Sequence, residues 1–272
     1  MPLNWIDVSD LSFNVILLLE REQLSWLPGW LPEPELALAL KANPAVEWYL
    51  RHKNPDLNPW LNKVIAQEEP HFSPEGQQLV AREAEEAILR AINDLVVYAV
   101  DPQIYAKMPF LGWDDAELTG LTDFHGKTVI DIGSGTGRLA FVAAEAGARA
   151  VFAVEPVGNL RVFIKGEARK RNLSNIFAMD GLITELPFSD DFIDIVMGGH
   201  VFGDHPQAEY AEMLRVVKPG GMLILCPGNN DKDQGWHQFL VDQGFAWSRF
   251  EEPGDGIKRK YWKTVQSGGD RG

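Results

Sequence analysis

A glycine-rich turn between an apolar run and an amphipathic segment constrains the fold more than any other feature. Residues 128–132 (TVIDI) are mainly β-branched, with three apolar side chains, as expected of a buried strand. Glycines follow at 133, 135 and 137, and residues 138–146 (RLAFVAAEA) have the apolar spacing of a helix. Glycines let the chain reverse sharply and let a ligand approach the backbone. This order of strand, turn and helix is typical of nucleotide-binding α/β folds.

The chain after residue 125 alternates short apolar runs with amphipathic stretches. The apolar runs predict five buried strands, and the segments between them suit helices, which together predict a parallel sheet. Two further strands are joined by residues 253–256 (PGDG), a link too short for a crossover helix, so they should pair antiparallel. We therefore expect an α/β fold with a Rossmann-like, doubly wound, seven-stranded sheet and a C-terminal antiparallel hairpin. The seven predicted strands are 127–132, 150–154, 176–179, 193–197, 222–226, 246–252 and 259–265.

The first part of the chain has a different character. Five of the nine tryptophans lie within residues 1–60, and prolines between them predict short helices such as 35–42 and 45–52. Ser73, Pro74 and Glu75 have the pattern of a helix N-terminus, and apolar residues continue at helical spacing as far as Ala99. We predict a helical, Trp/Pro-rich extension over 1–95, the main domain over 96–266, and a flexible tail over 267–272.

Charge and cysteine content limit the classes of partner and compartment. The net charge of -14 repels polyanions, so nucleic acid is not expected as a partner. A basic group at helical spacing is expected to form a solvated helix face: Arg161, Lys165, Arg169, Lys170 and Arg171. The single cysteine, Cys226, excludes an intramolecular disulfide and fits a reducing compartment. The apolar run 15–19 is much shorter than a membrane span, so we expect a cytoplasmic protein without a signal peptide or membrane segment.

Acidic residues at the ends of the first three strands make the glycine turn more specific. The turn alone is equally compatible with a nicotinamide or flavin site, or with simple helix packing. Asp131 lies two residues before the first glycine, where its carboxylate would repel a pyrophosphate and suit a cationic aminoacyl group. Glu155 follows the second strand and can accept from ribose hydroxyls, as it also would in a nicotinamide protein. Asp180, with Gly181, ends the third strand and can accept from an adenine amino group.

Several segments together resemble one family. Between residues 129 and 227 the chain resembles the class I S-adenosylmethionine-dependent methyltransferase domain, in particular the methyltransferase type 11-like group that includes quinone-biosynthesis enzymes. The matching segments are 129–137 (VIDIGSGTG), 154–156 (VEP), 179–181 (MDG), 185–196 (ELPFSDDFIDIV) and 213–221 (MLRVVKPGG). The resemblance implies S-adenosylmethionine as cofactor and an antiparallel strand near the sheet edge. It implies these cofactor-binding residues: Asp131, Gly133, Ser134, Gly135, Gly137, Glu155, Pro156, Asp180, Gly181 and Gly198.

Aromatic residues near the core domain are candidates for the substrate site. In the family that this chain resembles, the segment before the first strand often closes over the cofactor, which makes Tyr98, Tyr105 and Trp113 candidate lid residues. The alternative is that these aromatics only pack the extension onto the core. Phe202, in the loop after the fourth strand, is a further candidate for substrate contact.

The same loop contains the candidate catalytic residue. A sulfonium methyl is already activated, so a base is needed only when the acceptor must lose a proton. His200 is the candidate base, with simple loop packing as the alternative. Asp204 and His205 precede Pro206, where a helix is predicted to begin, and both then have capping roles. No further ligand with suitable spacing joins these residues, so no metal site is expected.

The leading hypothesis is a methyltransferase acting on a small, partly apolar or aromatic acceptor, with the tryptophan-rich extension forming part of the acceptor pocket. The alternatives are a catalytically silent S-adenosylmethionine-binding regulatory module, a methyltransferase acting on RNA or protein, and a nicotinamide oxidoreductase. The adenine- and glutamine-methylating sequence Asn-Pro-Pro-Tyr is absent after the fourth strand, which argues against those two targets.

Overall fold

The computed structural model describes residues 5–66, 74–233 and 235–266, with the side chains of residues 74–79 excepted. The predicted cap at Ser73 and the predicted tail 267–272 lie outside the described residues. The chain divides into two compact units, Met1–Tyr105 and Ala106–Gly272. Residues 96–105 thus group with the first unit, later than the boundary expected after residue 95.

The first unit is helical. Its helices bury one continuous core, in which α2 packs on α5 and leucines such as Leu36, Leu40 and Leu50 are fully enclosed. The α-helices are α1 (Arg21–Ser25), α2 (Glu33–Ala42), α3 (Pro44–Lys53), α4 (Asn58–Ile65), α5 (Pro74–Ala91), α6 (Asn93–Val100) and α7 (Pro102–Tyr105), with 3-10 helices at Phe13–Leu18 and Pro55–Leu57. Proline occupies the first or second position of α2, α3 and α4, as the proline spacing predicted.

The helical periodicity that runs to Ala99 belongs to two helices and not to one. Ile92 leaves the helical region with φ -112° and ψ 27°, which separates α5 from α6. The side chain of Asn93 is buried beside this break, where its Oδ1 accepts from the backbone N–H of Trp5 (2.7 Å) and of Ile6 (3.1 Å). A buried amide needs partners, and the backbone of residues 5 and 6 provides them at this break.

The second unit is a seven-stranded sheet with helices on both faces. The strands are β1 (Thr128–Ile132), β2 (Ala150–Val154), β3 (Ile176–Met179), β4 (Ile193–Gly198), β5 (Val217–Asn230), β6 (Ala246–Glu252) and β7 (Gly256–Thr264), in the order β3-β2-β1-β4-β5-β7-β6. The helices are α8 (Ala116–Thr119), α9 (Arg138–Glu145), α10 (Gly158–Lys170), α11 (Pro206–Val216) and α12 (Gly235–Asp242), with a 3-10 helix at Pro109–Leu111. β7 alone runs antiparallel, between β5 and β6. The predicted doubly wound sheet with a C-terminal hairpin is confirmed.

Alternating side chains of each strand supply the two cores. On one face, Val129 and Ala153 pack against α9 and α10; on the other, Ile130 and Val196 pack against α11 and α12. Both faces of the central strands are therefore buried, which explains why these strands are almost continuously apolar in sequence.

One connection differs from the expected alternation. Residues 180–192, between β3 and β4, were expected to be helical but form a loop with one isolated bridge, Leu182 to Glu185. The polar groups of this loop are satisfied by α11: Arg215 donates to the carbonyls of Leu186 (3.0 Å) and Phe188 (2.8 Å), and Glu212 accepts from the Leu186 N–H (2.7 Å). These bonds replace those that a helix would make internally.

Candidate functional site

Parallel pairing brings the ends of four strands to one edge of the sheet. Ile132 of β1 pairs with Val154 of β2 and with Gly198 of β4, and Val154 pairs with Met179 of β3. The residues that follow these positions are therefore neighbours, although they come from distant parts of the sequence. Ligands bind at this carboxyl edge in open α/β sheets.

The glycine turn is built from residues 133–137. Gly133, Gly135 and Gly137 have φ of 58°, 55° and 87°, in the left-handed region that favours glycine. The Ser134 hydroxyl donates to the Asp131 carbonyl (2.7 Å), and the Ser134 N–H donates to the Val154 carbonyl (3.2 Å). The turn is thus fixed to the ends of both β1 and β2.

The carboxyl group of Asp131 lies beneath this turn and is fully buried. Its Oδ2 accepts from the backbone N–H of Ala140 in α9 (3.0 Å), while its Oδ1 has no hydrogen-bond partner among the residues that the structure describes. Burial raises the pKa of Asp131 to about 8, because removal from water disfavours the charged form. The sequence suggested only contact with a cofactor; the structure shows that this carboxyl also ties β1 to α9.

The carboxyl group of Glu155 is also buried, with 4% of the residue exposed. Oε2 accepts from the N–H of Gly135 (2.8 Å), and Oε1 accepts from the N–H of Val157 (2.9 Å). Burial raises the pKa of Glu155 to about 7, against the lowering effect of these two amides. A carboxylate oxygen has more than one acceptor site, so each oxygen can still accept one further hydrogen bond. Pro156 follows, partly buried, and leads into α10.

Arg161 connects the ends of β2 and β3, which the sequence analysis did not foresee. Its guanidinium donates to the Glu155 carbonyl (2.6 Å) and to Asp180 Oδ1 (3.1 Å). The Asp180 side chain is 74% exposed, so it remains accessible to a ligand. The expected solvated basic face therefore does not include Arg161. The sequence signal for its contacts is its position in the first turn of α10, next to two strand ends.

Three of the predicted cofactor glycines have packing reasons of their own. A Cβ on Gly133 would lie 2.7 Å from Val201 Cγ2, and a Cβ on Gly198 would lie 2.6 Å from Val201 Cγ1. Likewise a Cβ on Gly181 would lie 2.8 Å from Val154 Cγ1. The Val201 side chain therefore fills the space that Gly133 and Gly198 leave between β1 and β4.

The loop after β4 places His200 beside a cleft. His200 has φ 55°, uncommon for a residue with a side chain, and its N–H donates to the Pro227 carbonyl on β5 (2.9 Å). The cleft has a volume of about 280 Å³. It is lined by His200, Phe202, Gly228, Asn229, Asn230, Trp236, Asp255 and Lys258. Two predicted residues of this loop, His200 and Phe202, thus lie on one cleft wall.

Glu209 fixes the shape of this loop. Its buried carboxylate accepts from the N–H of Gly203 (2.8 Å) and from the N–H of His205 (2.7 Å), at the start of α11. α11 begins at Pro206 as predicted, with His205 as its cap residue. Within residues 5–66, 74–233 and 235–266 no three histidine, cysteine or acidic side chains are grouped closely enough to hold a metal ion.

The aromatic lid candidates occupy two different units. Tyr98 and Tyr105 lie in the first unit, where their rings meet edge to face at 4.8 Å and Tyr105 also contacts Trp5. Trp113 lies in the second unit and is buried, with the Arg138 guanidinium 4.4 Å from its ring centre and Phe250 beside it. The lid role of all three residues stays a prediction.

The fold and the strand-end residues define a domain that binds a nucleoside-containing cofactor, and comparison with known proteins identifies its family. Residues 130–225 match the family described as "Methyltransferase domain". The chain is 36% identical over 102 residues to an uncharacterized methyltransferase of Mycobacterium leprae, covering 37% of this chain and 36% of that protein. It is 30% identical over 116 residues to the demethylmenaquinone methyltransferase of Clavibacter sepedonicus, covering 42% and 46%. Residues 130–225 belong to a class I S-adenosylmethionine-dependent methyltransferase domain.

Comparison with solved structures gives a further similarity. A SAM-dependent methyltransferase from Aquifex aeolicus superposes with a TM-score of 0.46 at 20% identity, covering 61% of this chain and 98% of that one. The matched segment spans less than half the length of each of these two curated relatives, from Mycobacterium leprae and Clavibacter sepedonicus. Among the described residues, no helix is both long and apolar enough to cross a membrane.

The residues at the strand ends fit S-adenosylmethionine, the cofactor of this class of domain. Glu155 has two oxygens with acceptor sites left for a pair of ribose hydroxyls, and Asp180 has an exposed carboxylate for the adenine amino group. Asp131 Oδ1 is a buried acceptor without a partner among the described residues, which suits the ammonium of an aminoacyl group. No phosphate-binding cation is needed for such a ligand.

Proposed function

We propose that this protein is an S-adenosylmethionine-dependent methyltransferase that methylates a small molecule. The observation that carries the cofactor part is the buried Glu155 carboxylate, held by the N–H groups of Gly135 and Val157 at the sheet edge where ligands bind. When bound, the cofactor supplies a methyl group on positively charged sulfur, which needs no further activation. The residues of the chain then have to orient both reactants, exclude water and accept any proton that the acceptor loses.

The cleft beside His200 supports the choice of a small acceptor. A volume of about 280 Å³ is near the lower end of the range for small-molecule sites. Its walls combine two aromatic rings, Phe202 and Trp236, with polar side chains, a combination that orients a compact, partly aromatic compound. The net charge of -14 also disfavours a nucleic acid acceptor. We propose His200 as the base of this site.

The proposal is tested first by cofactor binding. S-adenosylhomocysteine should raise the melting temperature of the protein and NADH should not, because only a ligand that binds the native state stabilises it. Glu155→Gln should reduce this stabilisation, whereas Glu145→Gln should leave it unchanged, since Glu145 is a surface residue on α9. Stabilisation by NADH alone would assign the domain to a different chemistry.

The acceptor part is tested by methyl transfer. Deuterium-labelled S-adenosylmethionine is incubated with the protein and a small-molecule extract, and products are sought by mass spectrometry as compounds that gain a labelled methyl group. Label in a protein or tRNA fraction, and none among small molecules, would contradict the small-acceptor proposal. No label in any fraction, despite tight cofactor binding, would favour a catalytically silent module.

A further inference from the structure

The cleft beside His200 contains a buried carboxylate that the sequence analysis did not identify. Glu252, the last residue of β6, is 1% exposed, and its Oε1 lies 3.0 Å from His200 Nε2. Its other oxygen, Oε2, lies 3.4 Å from the ammonium of Lys258. Lys258 is itself buried and also binds Asp255 Oδ2 at 2.7 Å. A buried glutamate thus lies against the histidine that lines the cleft, and a buried lysine of the same cleft lies beside that glutamate.

The contact with Glu252 decides which nitrogen of His200 is available. An ionised carboxylate only accepts hydrogen bonds, so His200 Nε2 must carry the proton that it donates. In a neutral imidazole the second nitrogen, Nδ1, is then the basic one. The His200 side chain is 41% exposed, so this basic nitrogen is not sealed inside the protein. The positive charge of Lys258 offsets the negative charge of Glu252, so the carboxylate can remain ionised although it is buried.

A second wall of the cleft offers a hydrogen-bond donor. Asn229 is 6% exposed, and its Oδ1 accepts from the Tyr261 hydroxyl (3.0 Å). Its Nδ2 has no partner among the residues that the structure describes. The Tyr261 hydroxyl also contacts Nδ1 of His237 (2.9 Å), which holds it in place. A buried amide N–H without a partner is costly, so this donor is suited to an oxygen of a bound molecule.

We infer that Glu252 is a positioning residue that holds His200 with its proton on Nε2. His200 Nδ1 then takes the proton of a hydroxyl acceptor. Asn229 Nδ2 donates to an oxygen of the same acceptor. This inference rests on the proposed function. A neutral hydroxyl compound fits the site because a basic nitrogen and an N–H donor line the same cleft. A protonated amine, by contrast, has no lone pair for the amide donor.

The resulting step is balanced without any further reactant. A lone pair of the acceptor oxygen forms the new bond to the methyl carbon, and the carbon–sulfur bond breaks with its electron pair remaining on sulfur. The hydroxyl proton passes to His200 Nδ1, which becomes an imidazolium next to the Glu252 carboxylate. Glu252 stabilises that charge and does not itself take up the proton.

The first test reads the state of the imidazole directly and needs no acceptor. Long-range ¹H–¹⁵N spectra of the histidine rings, with the His200 signal assigned by its loss in His200→Gly, should show neutral His200 with the proton wholly on Nε2. Glu252→Met should leave a mixture of the two neutral forms, while Glu251→Gln, the exposed neighbour on β6, should match the wild type. A proton on Nδ1 in the wild type would overturn the inference.

The second test uses His200→Gly, which the backbone accepts because φ at this position is 55°. With the acceptor fraction found by the labelling experiment, this variant should lose methyl transfer by about 100-fold or more. S-adenosylhomocysteine should still stabilise it, added free imidazole should restore part of the rate, and the product should be an O-methyl compound. Glu252→Gln should lower kcat with the cofactor KM unchanged, and Glu251→Gln should change neither.

The possible outcomes distinguish failure of the inference about His200 from failure of the proposed function. Full activity of His200→Gly, failure of imidazole to restore a lost rate, or a product methylated on nitrogen would overturn the inference while leaving a methyltransferase. Absence of both S-adenosylhomocysteine binding and methyl transfer in the wild type would instead refute the proposed function.

Discussion

The raised pKa of Glu155 predicts that binding of the cofactor's nucleoside part depends on pH. Burial raises the pKa of this carboxyl to about 7, close to neutral pH. Only the ionised form can accept from two ribose hydroxyls while it also accepts from the N–H groups of Gly135 and Val157. Affinity should therefore rise as pH increases towards the pKa and then become constant above it. Glu155→Gln removes the titration and should abolish this dependence.

The expected size follows from the ionised fraction. With a pKa of about 7, that fraction increases from about 0.1 at pH 6 to about 0.9 at pH 8, so Kd should fall by about tenfold, or ~1.4 kcal/mol. Glu155→Gln should also weaken binding at pH 8, since a hydrogen bond to a charged group contributes about 1.5–3 kcal/mol.

The assay is calorimetric titration with 5′-methylthioadenosine, a nucleoside without the aminoacyl group. Because this ligand is uncharged between pH 6 and 8, the pH dependence of Kd reports on the protein alone. Glu145→Gln is the matched control, because Glu145 is a half-exposed glutamate paired with Arg171 on the surface. It should retain the tenfold change. If Glu155→Gln also retains that change, Glu155 is not the titrating group and the reasoning about its burial is wrong.

Three further predictions concern stability. Burial raises the pKa of Asp131 to about 8 from an ordinary value near 3.8, so the native state keeps a proton that the unfolded chain loses, and stability falls as pH rises between these values. In Asp131→Asn this fall should be absent. The free energy of unfolding of the variant, measured by urea titration, should therefore increase relative to that of the wild type by up to ~1.4 kcal/mol per pH unit across this range, and a difference that does not change with pH would contradict this. Gly137→Ala should lower the free energy of unfolding by at least about 1–2 kcal/mol, because φ is 87° and the new Cβ would lie 2.8 Å from a ring carbon of α9. Gly166→Ala, with open space at its Cβ, should instead gain about 0.5–1 kcal/mol, and equal effects of the two would refute the argument. Glu209→Ala should cost more than about 1.5 kcal/mol and speed amide exchange selectively in the loop before α11, since two N–H groups lose a charged acceptor; uniform exchange would argue against a local role.

Features that depend on neighbours in the chain were predicted from the sequence. The strand, glycine turn and helix of residues 128–145 are recognisable because apolar periodicity and glycine spacing act over a few residues. The C-terminal hairpin followed from the short link between β6 and β7, and the start of α11 followed from Pro206. These expectations required no knowledge of tertiary contacts.

Features that depend on distant contacts were missed. The loop 180–192 is not helical because Arg215 and Glu212 of α11 satisfy its backbone. The helical periodicity up to Ala99 conceals a break, because Asn93 binds the chain near residue 6. The secondary-structure propensity of a short segment carries no information about either of these contacts.

The sequence by itself determined the fold class, the edge of the sheet where a ligand binds, and the acidic residues that face it. Those properties depend on the alternation of strands and helices along the chain and on the residues at the strand ends, both of which are local in sequence. Only the tertiary structure decided that Asp131 and Glu155 are buried enough for raised pKa values, and that Arg161 joins two strand ends. It alone placed Glu252 behind His200, 52 residues away in sequence. Burial and pairing over such distances depend on how strands are ordered across the sheet, which no short stretch of sequence specifies.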